Sequence, residues 1–385
     1  MSAEWKMETQ IVLTKPLSLE SGSDDDYSAP NLIQRILSLF KNIRPGSDLT
    51  RLQLPPAFNI PKSQLQCYGE SVYSVSDDLL GKCNGGESPF ERFIAVVAWC
   101  VSTLRPLIFG VAPYNPILGE THHISRGTLN VLLEQVSHNP PVSALYATDY
   151  EKENLEILWC HHLVSKFYGT SVETEVHGTR QLKLLNHGET YTMKCPKLSI
   201  KFFPVAGVEW SGISRICCDE TGFEAELTYG GRSFLGLRGS PKSIKGKIFN
   251  SSSSKPLFEI GGHWDRSVTL KDLESGQVRV IYEAIEVITG LKIPIVRDPK
   301  GVWASESALV WSEVSKGILS KQWGRASEAK NAVEEKQRKL FKERASIGEN
   351  WVPKHFAVSY SKEQGWDCSP LQPLVPPPPI VVPLI

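Results

Sequence analysis

The sequence has no net charge: 42 Lys and Arg stand against 42 Asp and Glu in 385 residues. No long-range field therefore draws the whole molecule to nucleic acid or to an anionic membrane, and any anion site has to be local. It has no CxxC pair. Its eight cysteines are scattered apart from the adjacent Cys217 and Cys218, which suits neither a disulfide scaffold nor a zinc module and fits reduced thiols in a cytosolic core. The start, MSAEWKMETQ, lacks the basic start and apolar run of a signal peptide. The densest apolar stretch, Phe93 to Val101, is about half of the ~18 residues that a membrane span needs, and Ser102, Thr103 and Arg105 end it. A soluble, cytoplasmic chain is expected. Catalytic signatures are missing as well: there is no GxGxxG, no P-loop, no GxSxG and no HExxH. His122-His123 and His161-His162 are adjacent pairs whose side chains leave a strand on opposite faces, so neither pair easily chelates one metal. Neither an enzyme nor a metal or cofactor site is expected.

What is present is an ordinary globular composition, 41% hydrophobic and 22% charged, which excludes disorder as the main state. Residues 1–30 are polar, carry Asp24, Asp25 and Asp26 in a row, and read as a disordered leader. From Asn31 to Arg44 the apolar residues Leu32, Ile33, Ile36, Leu37, Leu39, Phe40 and Ile43 recur at helical spacing, with Gln34, Arg35, Ser38 and Lys41 opposite. Pro45-Gly46 stops that helix, and LQLPPAFNIP follows as an extended connector. Residues 88–104 open with Ser88-Pro89, carry Glu91 in the first turn, and predict a mostly buried helix. A long β-rich tract then runs to about residue 300, its segments separated by Gly, Asn, Asp and Pro at roughly 8 to 12 residues, as in a sandwich or barrel. Residues 305–345 turn helical again. An irregular stretch beyond Trp351 leads into LQPLVPPPPIVVPLI, to which no fold is assigned.

The informative run is Glu134 to Pro141, EQVSHNPP. A strand that ends in His-Asn-Pro-Pro sets donor side chains at a rim where the prolines forbid further pairing, a place for an anion. A plain strand end with a rigid turn accounts for the same residues. Lys330, Glu334 and Arg338 fall on one helix face at i, i+4 and i+8, which by itself reads as a solvated face with two weak ion pairs.

These residues carry a resemblance. The run matches seven of the eight positions of the EQVSHHPP fingerprint of the oxysterol-binding-protein-related family of lipid carriers. LQLPPAFNIP, FERFIAVVAWCVS, APYNPILGETHH, GGHWD and AKNAVEEKQRKL follow the family order, and the resemblance covers about residues 30–365. It implies a short, plant-type member made of the lipid-binding domain alone. The implied fold is mostly β with α: a large incomplete antiparallel β-barrel around a hydrophobic lipid tunnel, with an N-terminal amphipathic lid and a helical C-terminal subdomain. The expected division is lid and connector at 31–60, an N-terminal helical part at 61–115, the barrel at 116–300, a helical part at 301–365 and a Pro-rich tail at 366–385.

The resemblance also implies a non-vesicular carrier that holds a sterol or other membrane lipid and exchanges it for phosphatidylinositol 4-phosphate. Carried over by position, the headgroup residues are Asn115, His138, Asn139, Lys330, Glu334 and Arg338, and the lid residues are Leu32, Ile33, Ile36, Leu37 and Phe40. Arg35, Lys41 and Arg44 would orient the lid at an anionic surface. Transient membrane contact, association with ER and Golgi membranes and an ER-anchored protein partner belong to the same expectation. A lipid sensor with the prolines at 376–379 as a docking segment is the alternative. Two positions depart from the family pattern: Asn139 replaces the second histidine, and Ala112 stands where most members have a lysine. Both changes weaken the expectation of phosphoinositide exchange more than that of lipid binding, because each removes a cation.

Overall fold

The computed structural model describes residues 11–22, 31–50, 52–76, 78–203, 205–230, 242–253 and 255–384. Helix α1 is Leu32–Phe40. A short strand β1, Asn59–Ser63, leads into α2, Gln64–Tyr73, which begins with a capping box in which Ser63 and Gln66 each satisfy the other's end of the first turn. Asp78 caps α3, Leu79–Gly85, and Ser88 caps α4, Pro89–Ser102. The expected buried helix is thus present, with Pro89 in its first turn. Strand β2, Ala112–Tyr114, pairs in parallel with β1.

The β-rich tract forms β3 Thr121–Arg126, β4 Leu129–His138, β5 Pro141–Asp149, β6 Leu155–Phe167, β7 Ser171–His177, β8 Arg180–Leu184, β9 Glu189–Met193 and β10 Lys197–Lys201. It continues with β11 Gly207–Cys218, β12 Phe223–Tyr229, β13 Ser243–Asn250, β14 Pro256–His263, β15 Ser267–Asp272, β16 Val278–Glu283, the turn α5 Ala284–Val287 and β17 Ile295–Val296. The helices α6 Ser307–Val310, α7 Ser312–Leu319 and α8 Trp323–Ser346 follow, then β18 Phe356–Ser361, β19 Gly365–Pro370 and β20 Ile380–Val382.

One sheet of 16 strands runs from β16 through β15, β14, β13, β12, β11, β10, β7, β6, β5, β4, β3 and β20 to β17, with β8 and β9 branching between β6 and β11. Its pairs are antiparallel except β20 on β3. The end strands do not pair with each other, so the sheet is large, antiparallel and unclosed. Alternation marks the strands with one face inward: in β8 and β9 every second residue is buried. Inward residues of β3 to β6, β8, β9 and β11 to β16 join α2, α3 and α4 in a single apolar cluster, with Trp99 against Trp159 and Phe90 stacked on Phe258 at 4.3 Å. The sheet therefore curls around the helices. No helix among the described residues is long and apolar enough to cross a membrane.

Three regions differ from the sequence expectation. Residues 11–22, read from composition as part of a disordered leader, are tied down: Lys62 Nζ donates to the Lys15 carbonyl at 2.6 Å, the Leu17 amide to Glu70 Oε2 at 3.1 Å, and Leu17 is buried. A long-range donor on β1 and an acceptor on α2 decide this, and local polarity cannot reveal them. The rest of that leader lies outside the described residues. The stretch after Trp351 is a hairpin, β18 with β19, so the C-terminal part is mixed rather than purely helical. The tail is built in: β20 lies between β3 and β17, Pro379 accepts from the Arg297 amide at 2.8 Å, and His123 Nε2 donates to the Pro376 carbonyl at 2.9 Å. The prolines stand on either side of the three residues Ile380–Val382, whose own amides remain free to pair with β3 and β17. A tail held at both ends is poorly placed as a docking segment.

Ile380 is fully buried in that insertion. Ile380→Ala should cost about 2–5 kcal/mol in urea unfolding, as for other buried aliphatic truncations. A cost below about 1 kcal/mol, the level of a surface change, would show that the tail is not part of the cooperative fold.

Candidate functional site

Three buried glutamates tie distant segments together, and two of them, Glu120 and Glu134, do so beside one cavity. Glu120, 1% exposed, ends the NPILGE loop. It accepts from Ser307 Oγ at 2.7 Å, Trp311 Nε1 at 2.8 Å, the Ile117 amide at 3.0 Å and Ser63 Oγ. Those four donors tie the loop to the start of α2 and to α6 and α7. Burial pushes this carboxyl above the ordinary range while the donors oppose the shift. Glu134, in β4, accepts from the amides of Lys354 and His355 at 2.8 and 2.9 Å, which brings the chain after α8 back over the sheet. Burial raises its carboxyl too. Glu306 pairs with His122 Nδ1 at 2.7 Å and accepts from the His123 amide at 3.0 Å, and His122 Nε2 pairs with the Tyr73 hydroxyl at 2.9 Å. His122 is thus committed to the frame.

Gly119 shows how closely the frame is fitted. Its φ is +77°, and a Cβ there would come within 2.5 Å of the Trp351 ring, so both backbone and packing require glycine. Trp351 in turn lies under the Arg344 guanidinium, 5.4 Å from the ring centroid.

The cavity so framed has a volume of about 1060 Å³, and all six headgroup residues carried over from the resemblance line it. Asn115 comes from the NPILGE loop, His138 and Asn139 from the end of β4, and Lys330, Glu334 and Arg338 from α8. Asn115, Asn139 and Arg338 are exposed. His138 Nδ1 donates to the Pro116 carbonyl at 3.2 Å, which leaves Nε2 as the acceptor of the neutral ring. Burial lowers the His138 pKa, with the Pro116 bond and Glu334 opposing.

Lys330 is only 6% exposed. It donates to Asn59 Oδ1 at 2.7 Å and to the Leu54 carbonyl, and lies 3.9 Å from Glu334 Oε1. Burial pushes its pKa down to about 8 against the pull of Glu334. Asn59 Nδ2 passes the contact on to the carbonyls of Ala112 and Pro113 at 3.1 and 3.3 Å. At position 112 the backbone, not the alanine side chain, takes part.

The sequence reading missed two further cations and the far wall. Lys342 and Arg344 line the cavity with Lys330 and Arg338, so four basic side chains face one carboxylate, Glu334. Lys342 lies twelve residues beyond Lys330, and extending the same helical stripe would have found it; Arg344 is placed by Trp351, a contact no local pattern announces. Trp351, Phe356, Val358 and Trp366 supply the apolar wall. The expected lid helix lies elsewhere. Ile36 is buried, Phe40 stacks on Phe167 at 4.9 Å and touches Phe202 at 5.2 Å, and Leu32 and Ile36 cover Gly110. Leu37 is 59% exposed, so the apolar arc is only partly covered; the Ile33 side chain lies outside the described residues.

The family model for oxysterol-binding protein matches residues 36–318. Over 381 residues the chain is 56% identical to oxysterol-binding protein-related protein 4C of Arabidopsis thaliana, covering 98% of this chain and 100% of that protein. It is 31% identical to human oxysterol-binding protein-related protein 8, over 84% of this chain and 37% of that protein. Among solved structures it is similar in fold to the Osh1 ORD domain in complex with cholesterol, with TM-score 0.73 and 22% identity over 94% of this chain and 90% of that one. It is similar also to the Osh3 ORD of Saccharomyces cerevisiae in complex with PI(4)P, with TM-score 0.66 and 21% identity over 93% of each chain.

The buried lysine makes a pH prediction. Its folded pKa of about 8 lies below the ordinary 10.5, so between those values the unfolded chain binds more protons and stability rises with pH. The gain, about 3 kcal/mol at most, is complete once the unfolded lysine has also lost its proton. Lys330→Met should remove that rise. Urea unfolding at pH 7 to 10.5 should show the difference between the natural chain and the variant growing across this window, and a flat difference would contradict a desolvated Lys330.

Proposed function

The chain belongs to the oxysterol-binding protein family, and from that premise we propose that it is a non-vesicular lipid carrier. In this reading it takes a sterol into the apolar interior of the curled sheet and a phosphorylated inositol headgroup into the cavity beside α8. No bond is made or broken. The observation that carries the reading is the cavity itself, where eight residues from three distant parts of the chain meet, four of them Lys or Arg and one a glutamate.

The chemistry of a phosphomonoester fits that lining. Arg338 offers a planar pair of donors to two phosphate oxygens. Lys330, whose proton is weakly held because of its burial, keeps it beside a dianion, because an anion within a few ångströms favours the charged form. His138 Nε2, once protonated, and the amides of Asn115 and Asn139 donate to the remaining oxygens. Lys342 and Arg344 offset part of the charge missing at Asn139 and Ala112. Solved domains of this fold hold cholesterol, ergosterol or PI(4)P, which supports both ligands.

For the sterol, roughly 25 cal/mol per Å² of apolar surface opposes return to water, so exchange needs membrane contact. Helix α1 supplies that contact in this account. The exposed Leu37 on α1 and the 69% exposed Phe203, whose neighbour Phe202 touches Phe40, offer apolar groups to a bilayer, with Lys41 and Arg44 nearby in sequence for anionic lipid. Peripheral work at ER and Golgi membranes, with or without an anchored protein partner, follows from such a reversible contact.

Vesicle-to-vesicle transport of a fluorescent sterol, with and without phosphatidylinositol 4-phosphate in the acceptor, tests the proposal. The natural chain should move sterol. Arg338→Ala should weaken phosphoinositide binding by about ten- to a hundredfold, the loss of one charged hydrogen-bonded contact, and leave sterol binding within twofold. Asn139→His with Ala112→Lys should strengthen the phosphoinositide response. Failure of the natural chain to move sterol, or equal loss of both ligands in Arg338→Ala, would overturn the division into two sites.

A further inference from the structure

We propose that Cys160 and Cys368 form a reversible disulfide that clamps the β18–β19 hairpin, one wall of the cavity, onto the sheet. Their sulfur atoms lie 2.8 Å apart, across 208 residues of sequence. A disulfide bond is about 2.05 Å long, so bonding requires less than an ångström of approach. Cys160 is in the middle of β6 and Cys368 in β19, and both are 1% exposed. All eight cysteines are free thiols, and among the described residues no other two have their sulfurs in hydrogen-bond contact.

The hairpin is suited to such a clamp. It is a two-stranded sheet of its own, outside the ladder of the large sheet. Each of its strands buries one residue, Phe356 in β18 and Cys368 in β19. Beyond the Glu134 contacts at its start, the hairpin is held by Phe356, Cys368 and the partly buried Val358 and Trp366, and a two-stranded ribbon with so few buried groups opens more easily than the large sheet. Yet Phe356, Ala357, Val358 and Trp366 all line the cavity. Whatever fixes the hairpin fixes that wall.

The oxidant is a peroxide, and the step balances with hydrogen peroxide. One thiolate sulfur attacks a peroxide oxygen, the O–O bond breaks, and the sulfur becomes a sulfenic acid as water forms. The second sulfur attacks the first, the S–O bond breaks, and another water leaves with the remaining thiol proton. Two thiols and one peroxide give one disulfide and two waters. A dithiol reverses the bond by exchange. In the closed hairpin the Cys160 sulfur and burial both push the Cys368 thiol up, so it stays protonated and slow to react. Oxidation therefore proceeds through hairpin opening and records how often that occurs.

The effect on ligand exchange rests on the carrier reading given above; the bond and its grip on the hairpin do not. The full chain is treated with hydrogen peroxide, remaining thiols are alkylated in denaturant, and the unreduced digest is analysed by mass spectrometry beside hydrogen exchange of the untreated and treated protein. The expected result is a linked Cys160–Cys368 peptide that dithiothreitol abolishes, with amide exchange in 356–370 slowed by roughly tenfold or more. Cys160→Ala and Cys368→Ala should each remove both the link and the slowing, and Cys217→Ser should leave both. Alkylation of both cysteines after treatment, a link without slower exchange, or slowing that survives in Cys160→Ala would overturn the proposal. Release of bound phosphatidylinositol 4-phosphate should slow in parallel. If the link and the protection form but the lipid never binds, the clamp stands and the carrier reading fails.

Discussion

A carboxylate buried without a cation must be met by hydrogen bonds, and that requirement organises this molecule. Glu120 gathers Ser63, Ile117, Ser307 and Trp311, so the start of α2, the NPILGE loop and the α6–α7 corner are held at one point. Glu134 does the same for residues 354 and 355, and Glu306 for His122 and His123. Removing any one donor leaves a buried acceptor short of a partner, which costs more than the bond itself contributes. Segments more than 180 residues apart are thereby fixed relative to one another. The cavity lies beside the first two of these junctions, with Ile117, Trp311 and Pro353 in its lining.

That arrangement separates two jobs that the family fingerprint runs together in sequence. Within EQVSHNPP, Glu134 builds the frame and Gln135 braces the strand by donating to the Ser137 carbonyl at 2.8 Å, whereas His138 and Asn139 face the cavity. Within NPILGE, Asn115 faces the cavity, while Gly119 and Glu120 fit Trp351 and the α6–α7 corner. Frame residues are buried and chemically silent; cavity residues are polar and partly open. The neutral chain thus concentrates positive charge in one place, with Lys330, Arg338, Lys342 and Arg344 around Glu334.

Sequence periodicity revealed the elements whose causes are local. The Ser88-Pro89 start gave α4 nearly to the residue, and the apolar spacing from Leu32 gave the start of α1, which ends at Phe40 rather than at Arg44. The β-rich texture and the resemblance gave a large unclosed antiparallel sheet. The site residues came from the fingerprint rather than from physics, since the spacing of Lys330, Glu334 and Arg338 suits an exposed helix equally well. Contacts set by tertiary closure stayed hidden. Nothing near Leu17 announces Glu70, nothing near Trp351 announces Gly119, and the prolines around Ile380 conceal a strand that enters between β3 and β17. Cys160 and Cys368 belong to the same class, because only the packed hairpin brings them together.

The central claim is that one framed cavity holds the phosphorylated headgroup, apart from the interior that holds the sterol. Hydrogen exchange of the natural chain, titrated with a water-soluble short-chain phosphatidylinositol 4-phosphate and separately with cholesterol, addresses it most directly. The account predicts that the phosphoinositide slows exchange at residues 115–119, 134–139, 330–344 and 351–358 together, and that cholesterol alone does not reproduce that pattern. Protection by the phosphoinositide confined to other strands, or the same pattern from both ligands, would contradict it.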